Sequence, residues 1–308
     1  MKLENFKFKD KGDLEVFVYK WLPDSNVQVK GVVMIAHGMA ETAARYESFA
    51  RSLTDNGFIV YANDHRGHGK TAGTVEKLGD LGDDGFNSMV EDTHELKNRI
   101  KEENMDLPIF LFGHSMGSFL AQRYICLYGN ELKGVIITGT CGAQGIILDI
   151  GRMIAKGEIK KIGRSGKSNK LAKLIFGSNN NSFKPNRTDF DWLSRDNKEV
   201  DKYIDDPFCG TVFTAGFFCD FLGGLKSIEN HREIKNVTKD LPVYIFGGDK
   251  DPVGKNGKGL LRLVNTYKKH GIKDLTYKLY KDGRHEMLNE TNKEEVIADV
   301  IKWLNIHI

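Results

Sequence analysis

The pentapeptide Gly113-His114-Ser115-Met116-Gly117 lies between an apolar run, Ile109 to Phe112, and a segment of helical period that starts at Met116. A strand that turns straight into a helix forces the residue at the turn into a strained backbone conformation, and glycines on either side keep other side chains clear of it. The Ser115 hydroxyl would then stand exposed at a helix N-terminus, the arrangement expected of a nucleophile. A match to Gly-x-Ser-x-Gly alone is weak; the strand before it and the helix after it carry the meaning.

Other short apolar runs rich in β-branched or aromatic residues recur at Leu14 to Trp21, Gly31 to Ala36, Phe58 to Ala62, Gly134 to Ile137, Val243 to Phe246 and Leu275 to Tyr280. The later ones are continuous rather than alternating, as in parallel strands covered on both faces. Segments of helical period separate them. Met116 to Tyr128 sets Phe119, Leu120, Tyr124 and Leu127 near one face and stops at Gly129, an expected C-terminal cap. Thr291 and Glu294 are spaced as a capping box before Val296, Val300, Trp303 and Leu304, which share a helical face. The alternation predicts a mostly parallel, doubly wound α/β sheet.

That rhythm stops after Cys141 and resumes near Asn236. The segment between holds a basic piece, Lys156 to Lys173, and an aromatic one, Phe208 to Leu222. So long an interruption is expected to be an added helical layer rather than a structureless loop. We therefore divide the chain into a core, 1–141 with 237–308, and a helical cap, 142–236, over the carboxyl edge of the sheet.

In 308 residues, 45 Lys and Arg nearly balance 42 Asp and Glu, and a net charge of +3 gives no reason to expect a nucleic-acid partner. The four cysteines, Cys126, Cys141, Cys209 and Cys219, fit neither a metal-binding spacing nor a disulfide scaffold and are expected to be buried free thiols. Met1 to Asp10 lacks the apolar centre of a secretory signal, and nothing approaches the ~18 apolar residues of a membrane span. The expectation is a soluble, cytoplasmic protein.

A serine hydroxyl needs an adjacent base, and the base needs a third group to orient it. Where the nucleophile stands on a strand-to-helix turn, the chain order is serine, acid, histidine. His285 follows the run Leu275 to Tyr280, and Asp251 follows Val243 to Phe246 within Gly247-Gly248-Asp249-Lys250-Asp251-Pro252. Both come just past expected strand carboxyl ends, where open α/β sheets bind ligands. Asp249 is a second candidate for the acid. The run Gly31 to Ala36 enters His37-Gly38-Met39-Ala40-Glu41, a glycine-containing loop of the kind that supplies one oxyanion donor. The backbone amides of Met39 and Met116 are the expected pair.

Neither metal nor cofactor is implied. His285-Glu286 and His94-Glu95 lack the second histidine of a zinc motif, since Asn289 and Asn98 occupy those places. The loop Gly67 to Ala72 mimics a nucleotide-binding turn but has Asp64 where a phosphate loop needs glycine. Phe213, Phe217, Phe218 and Phe221 are either core packing or the wall of an acyl pocket. The basic piece Lys156 to Lys173 is either a solvated face or a contact with anionic lipid.

Together these motifs resemble the monoacylglycerol lipase and lysophospholipase branch of the α/β-hydrolases, grouped with the serine aminopeptidase S33 family. The likeness runs from about Gly31 onward. It rests on His37 to Glu41, Arg45-Tyr46, Asp64 to Gly69, Gly113 to Gly117, Ser194-Arg195 with Asp206-Pro207, and Gly283 to Glu286. The resemblance implies an α/β-hydrolase fold with a cap and a triad of Ser115, Asp251 and His285. Met39 and Met116 would line its oxyanion hole, with Glu41 and Arg45 near the polar head of an acyl ester. Two positions depart from the family pattern: Thr42 replaces a common histidine, and Ser118 replaces the usual glycine. The same triad also serves peptidases, thioesterases and acyltransferases, and the fold is used by small-molecule receptors.

Overall fold

The apolar runs form strands because their side chains have cover on both sides. Five of them are buried along their whole length: β3 (Gly31–Ala36), β4 (Phe58–Asn63), β5 (Ile109–His114), β6 (Gly134–Thr138) and β7 (Val243–Gly248). The computed structural model describes residues 1–308. With β1 (Lys2–Lys9), β2 (Glu15–Leu22) and β8 (Leu275–Tyr280) they make one sheet in the order β1-β2-β4-β3-β5-β6-β7-β8. Only β1–β2 and β2–β4 pair antiparallel.

Side-chain alternation along β3 divides the core in two. Val32, Met34 and Ala36 join the larger apolar cluster on one face, whereas Val33 and Ile35 join the smaller cluster on the other. Helices Glu47–Asp55 and Lys293–Ile306 cover the smaller cluster; Gly85–Glu103, Met116–Tyr128 and Lys258–Lys269 cover the larger. This is the doubly wound α/β-hydrolase sheet.

Four local expectations change. Strand β1 was not expected, because Lys2, Glu4, Lys7 and Lys9 interrupt its apolar positions, but an edge strand pairs through backbone and tolerates exposed charge. The Thr291–Glu294 capping box does not form: the helix begins at Lys293, and the Thr291 N–H donates to buried Glu290 instead. Gly129 stays right-handed, at φ −61° and ψ −26°, and opens a short 3-10 turn rather than a left-handed cap. Leu127, near the end of its helix, has turned out to solvent.

Between β6 and β7 the chain runs through helices Ile146–Ile162, Asn169–Phe176, Asn197–Asp205, Ala215–Ile228 and His231–Ile234, and contains no strand. Helix Ala215–Ile228 packs on Gly85–Glu103 and Met116–Tyr128, so its phenylalanines belong to the larger core cluster. All four cysteines are unpaired; Cys209 is only half-buried. No helix is long and apolar enough to cross a membrane.

Candidate active site

Strand β5 ends at His114, and helix Met116–Tyr128 starts two residues later, which leaves Ser115 alone at the turn with φ 52° and ψ −117°. The helix can approach this closely only because position 117 has no side chain: a Cβ there would sit 1.9 Å from the carbonyl oxygen of Ala36 on β3. Ser115 Oγ is 2.9 Å from Nε2 of His285, and Nδ1 of His285 is 2.9 Å from Asp251 Oδ1. Asp251 rather than Asp249 is thus the carboxylate that meets the imidazole. Asp249 accepts the backbone N–H of Asp282 at 2.8 Å and shapes the turn after β8.

Burial disfavours the imidazolium of His285, but the adjoining Asp251 carboxylate, helped by Glu286 and Glu41, raises its pKa above the ordinary histidine value. The segment between β6 and β7 adds to this support: Trp192 stands with its ring centroid 4.9 Å from that of His285, and the Glu286 N–H donates to Leu193 O at 2.8 Å. Arg284 also donates to Ser194 O at 3.1 Å. The loop carrying His285 is therefore tied to residues 192–194 by a backbone bond and by the Arg284 side chain.

The backbone N–H groups of Met39 and Met116 have no hydrogen-bond partner within the chain, and Met116 begins its helix. Such free donors at a helix N-terminus suit a developing negative charge. The Met39 loop is braced from below. His37 bonds Gly38 O through Nδ1 at 2.7 Å and accepts the His65 N–H on Nε2 at 3.0 Å. Asp64 accepts the N–H groups of Ala43 and Lys70 at 2.8 and 2.7 Å, so the segment that mimics a nucleotide loop is an internal brace.

Glu41 and Arg45 stand next to this loop, but they face each other. Arg45 donates to Glu41 at 2.5 Å and to both oxygens of Glu286 at 2.8 and 2.7 Å. Burial opposes ionisation of both carboxyls, and the guanidinium outweighs it, holding Glu286 below and Glu41 well below the usual carboxylate range. Glu41 lines the cavity in front of Ser115, whereas Arg45 does not. Neither Thr42 nor Ser118 lines it; the Ser118 hydroxyl donates to Ser115 O at 2.6 Å.

Two cavities meet at Ser115, Met39 and Phe176. The first, of about 350 Å³, contains His285, Glu41 and Glu286 and opens past Asn181, Asn186 and Asp189. The second, of about 390 Å³, is mostly apolar, walled by Leu148, Ile154, Leu171, Ile175, Phe221 and Leu225. Phe213 and Phe218 line the first and Phe221 the second. Phe217 lines neither: it is buried against Phe213 and stacked on Phe221, filling core.

Glu286, His114 and Trp192 are site residues that the sequence did not reveal. Glu41 and Arg45 were nominated through the family resemblance and lie four positions apart, but Glu286 is 241 positions from Arg45, and only the fold joins them. His114 lies inside the serine motif, and its Nδ1 approaches Glu41 at 3.2 Å.

An eight-stranded, mostly parallel sheet with serine, histidine and aspartate joined at its carboxyl edge defines an α/β-hydrolase. The chain belongs to the serine aminopeptidase S33 family, whose model matches residues 27–292. It is 28% identical over 310 residues to a monoacylglycerol lipase of Mycolicibacterium smegmatis, covering 98% of this chain and 96% of that protein. It is 27% identical to human monoglyceride lipase, with 95% and 86% covered. Among solved structures, a thermostable carboxyl esterase from Bacillus coagulans in complex with glycerol superposes with a TM-score of 0.92 at 29% identity, covering both chains completely.

Proposed function

We propose that this enzyme hydrolyses carboxylic esters of the monoacylglycerol or lysophospholipid kind through an acyl intermediate on Ser115. The chain is a carboxylic ester hydrolase, as its relatives' names indicate of them. The observation that carries the finer reading is the position of Ser115 in the shared wall of an apolar and a more polar cavity. An ester with a long acyl chain and a polar alcohol fits such a pair. Residues 142–236 form the cap, rooted in the core through helix Ala215–Ile228.

His285 takes the Ser115 proton as Oγ bonds to the ester carbonyl carbon, and the N–H groups of Met39 and Met116 hold the resulting oxyanion. Asp251 stabilises the imidazolium. Collapse breaks the bond to the alcohol oxygen, which takes the proton from His285. Water then gives a proton to His285 and attacks the acyl carbon, and the fatty acid leaves as Ser115 is restored.

An aminopeptidase needs a free carboxylate near the nucleophile to receive the substrate's ammonium group. Glu41 and Glu286 line the first cavity, but Arg45 already pairs with both, which favours the ester. The lip of the apolar cavity also suits a lipid surface. Ile147 and Leu174 line it and are 59% and 54% exposed, and their helices, Ile146–Ile162 and Asn169–Phe176, also carry the exposed Lys156, Lys160, Lys170 and Lys173. The cap docks there on anionic lipid.

The test is a panel of monoacylglycerols, p-nitrophenyl esters, thioesters and N-terminal-proline peptides. Monoacylglycerol turnover should lead; faster cleavage of the peptides or thioesters would overturn the assignment.

A further inference from the structure

The two halves of the reaction centre come from loops far apart in the chain, and one side chain touches a partner from each. Glu41 Oε1 accepts the N–H of Gly38 at 2.5 Å, next to the Met39 amide, and the hydroxyl of Tyr46 at 2.9 Å. Glu286 directly follows His285, and its carboxylate also accepts Asn289 Nδ2 at 2.8 Å. Arg45 spans the two carboxylates with three hydrogen bonds, and its guanidinium lies over the Tyr203 ring, 4.9 Å from the centroid. Only a planar fork with several fixed donors can meet both carboxylates at once.

We infer that Arg45 is a positioning residue that couples the oxyanion loop to the loop of the general base, and is not a ligand for the substrate's polar head. The inference rests on the Ser115–His285 reading above. Three observations support it: every hydrogen bond of the Arg45 guanidinium goes to Glu41 or Glu286, Arg45 is absent from the lining of the cavity in front of Ser115, and the side chain is 11% exposed. Removing the strut frees two loops whose relative placement sets the distance between the oxyanion donors and Nε2 of His285. Misplacement by about 1 Å costs on the order of 100-fold in rate.

The variants Arg45→Lys, Glu286→Gln and their combination test this on a p-nitrophenyl ester and a monoacylglycerol that share one acyl chain. Lysine keeps the charge that balances the buried carboxylates but cannot bridge them. The expected result is a fall in kcat on the order of 100-fold, equal for the two substrates, with KM little changed and the double variant no worse than the weaker single. A rise in KM confined to the monoacylglycerol would make Arg45 a head-group ligand and overturn the inference, as would unchanged kcat or losses that multiply in the double variant. Should Arg45→Lys melt early by circular dichroism, Glu286→Gln decides by the same equality between substrates. Organophosphonate labelling of Ser115 in the unmodified enzyme separates the two claims, because its failure would strike the Ser115 reading and not the strut.

Discussion

Asp251 holds His285 through a 2.9 Å contact between Oδ1 and Nδ1, with side chains only 3% and 2% exposed. The pair is shut away from water, so the carboxylate acts on the imidazole with little screening. Its partner across the ring, Ser115 Oγ, is only partly buried and opens to both cavities. The His285 ring is thus held by Asp251 on one side and meets Ser115 on the other.

The pH dependence of the reaction follows from that burial. His285 must be neutral to accept a proton, and its pKa in the fold is raised, chiefly by Asp251 against the opposing effect of burial. kcat/KM should therefore fall as pH drops through a value above ~6.5, the unperturbed histidine figure. In Asp251→Asn the acid limb should move down and kcat should drop by about 10⁴. A limb that stays in place in that variant counts against Asp251 as the partner.

Chain-length preference should answer to the apolar cavity. Ile154 lines it, and Ile154→Trp would fill part of its volume of about 390 Å³. Short esters should be turned over as before, while each methylene that no longer fits should cost about 0.8 kcal/mol, or roughly fourfold in kcat/KM. The measurement is kcat/KM across p-nitrophenyl esters of increasing acyl length, with a uniform loss at all lengths as the contrary outcome.

Exposed side chains at the cavity lip should govern contact with lipid. Ile147 lines the apolar cavity and is 59% exposed; Met153, on the same helix Ile146–Ile162 but outside the cavity lining, is 67% exposed. The double variant Ile147→Ser, Met153→Ser should lower partitioning onto vesicles containing anionic phospholipid by about tenfold or more. Hydrolysis of a water-soluble short ester should not change. Sedimentation of vesicles with bound protein measures the first quantity; equal partitioning of variant and parent would contradict the docking proposal.

The parts of the site legible in the sequence were those whose signal is local. Ser115 announces itself by a strand, two glycines and a helix, and Asp251 and His285 each follow an apolar run by a few residues. Met39 could be nominated from a loop of the same kind. Glu286 and Trp192 could not, because a glutamate beside a histidine and a tryptophan in a turn carry no signal of the partners they meet; the sheet order brings Glu286 to Arg45, and the return path of the segment between β6 and β7 brings Trp192 to His285. The aromatic run in the cap was ambiguous for a related reason. Helical spacing groups Phe217, Phe218 and Phe221, but which of them meets a cavity depends on the rotation of helix Ala215–Ile228 against its neighbours, and that is fixed by packing rather than by spacing. The same holds at helix ends, where buried Glu290 outcompetes the local Thr291 cap for a backbone donor.

The most direct test of the acyl-enzyme account is mass spectrometry of the intact protein after reaction with an organophosphonate ester, followed by peptide mapping. One adduct per chain, located on Ser115, should form while ester turnover is lost in proportion, and folded His285→Ala should label far more slowly. Full labelling elsewhere in the chain, or ester hydrolysis that persists in folded Ser115→Ala, would contradict it.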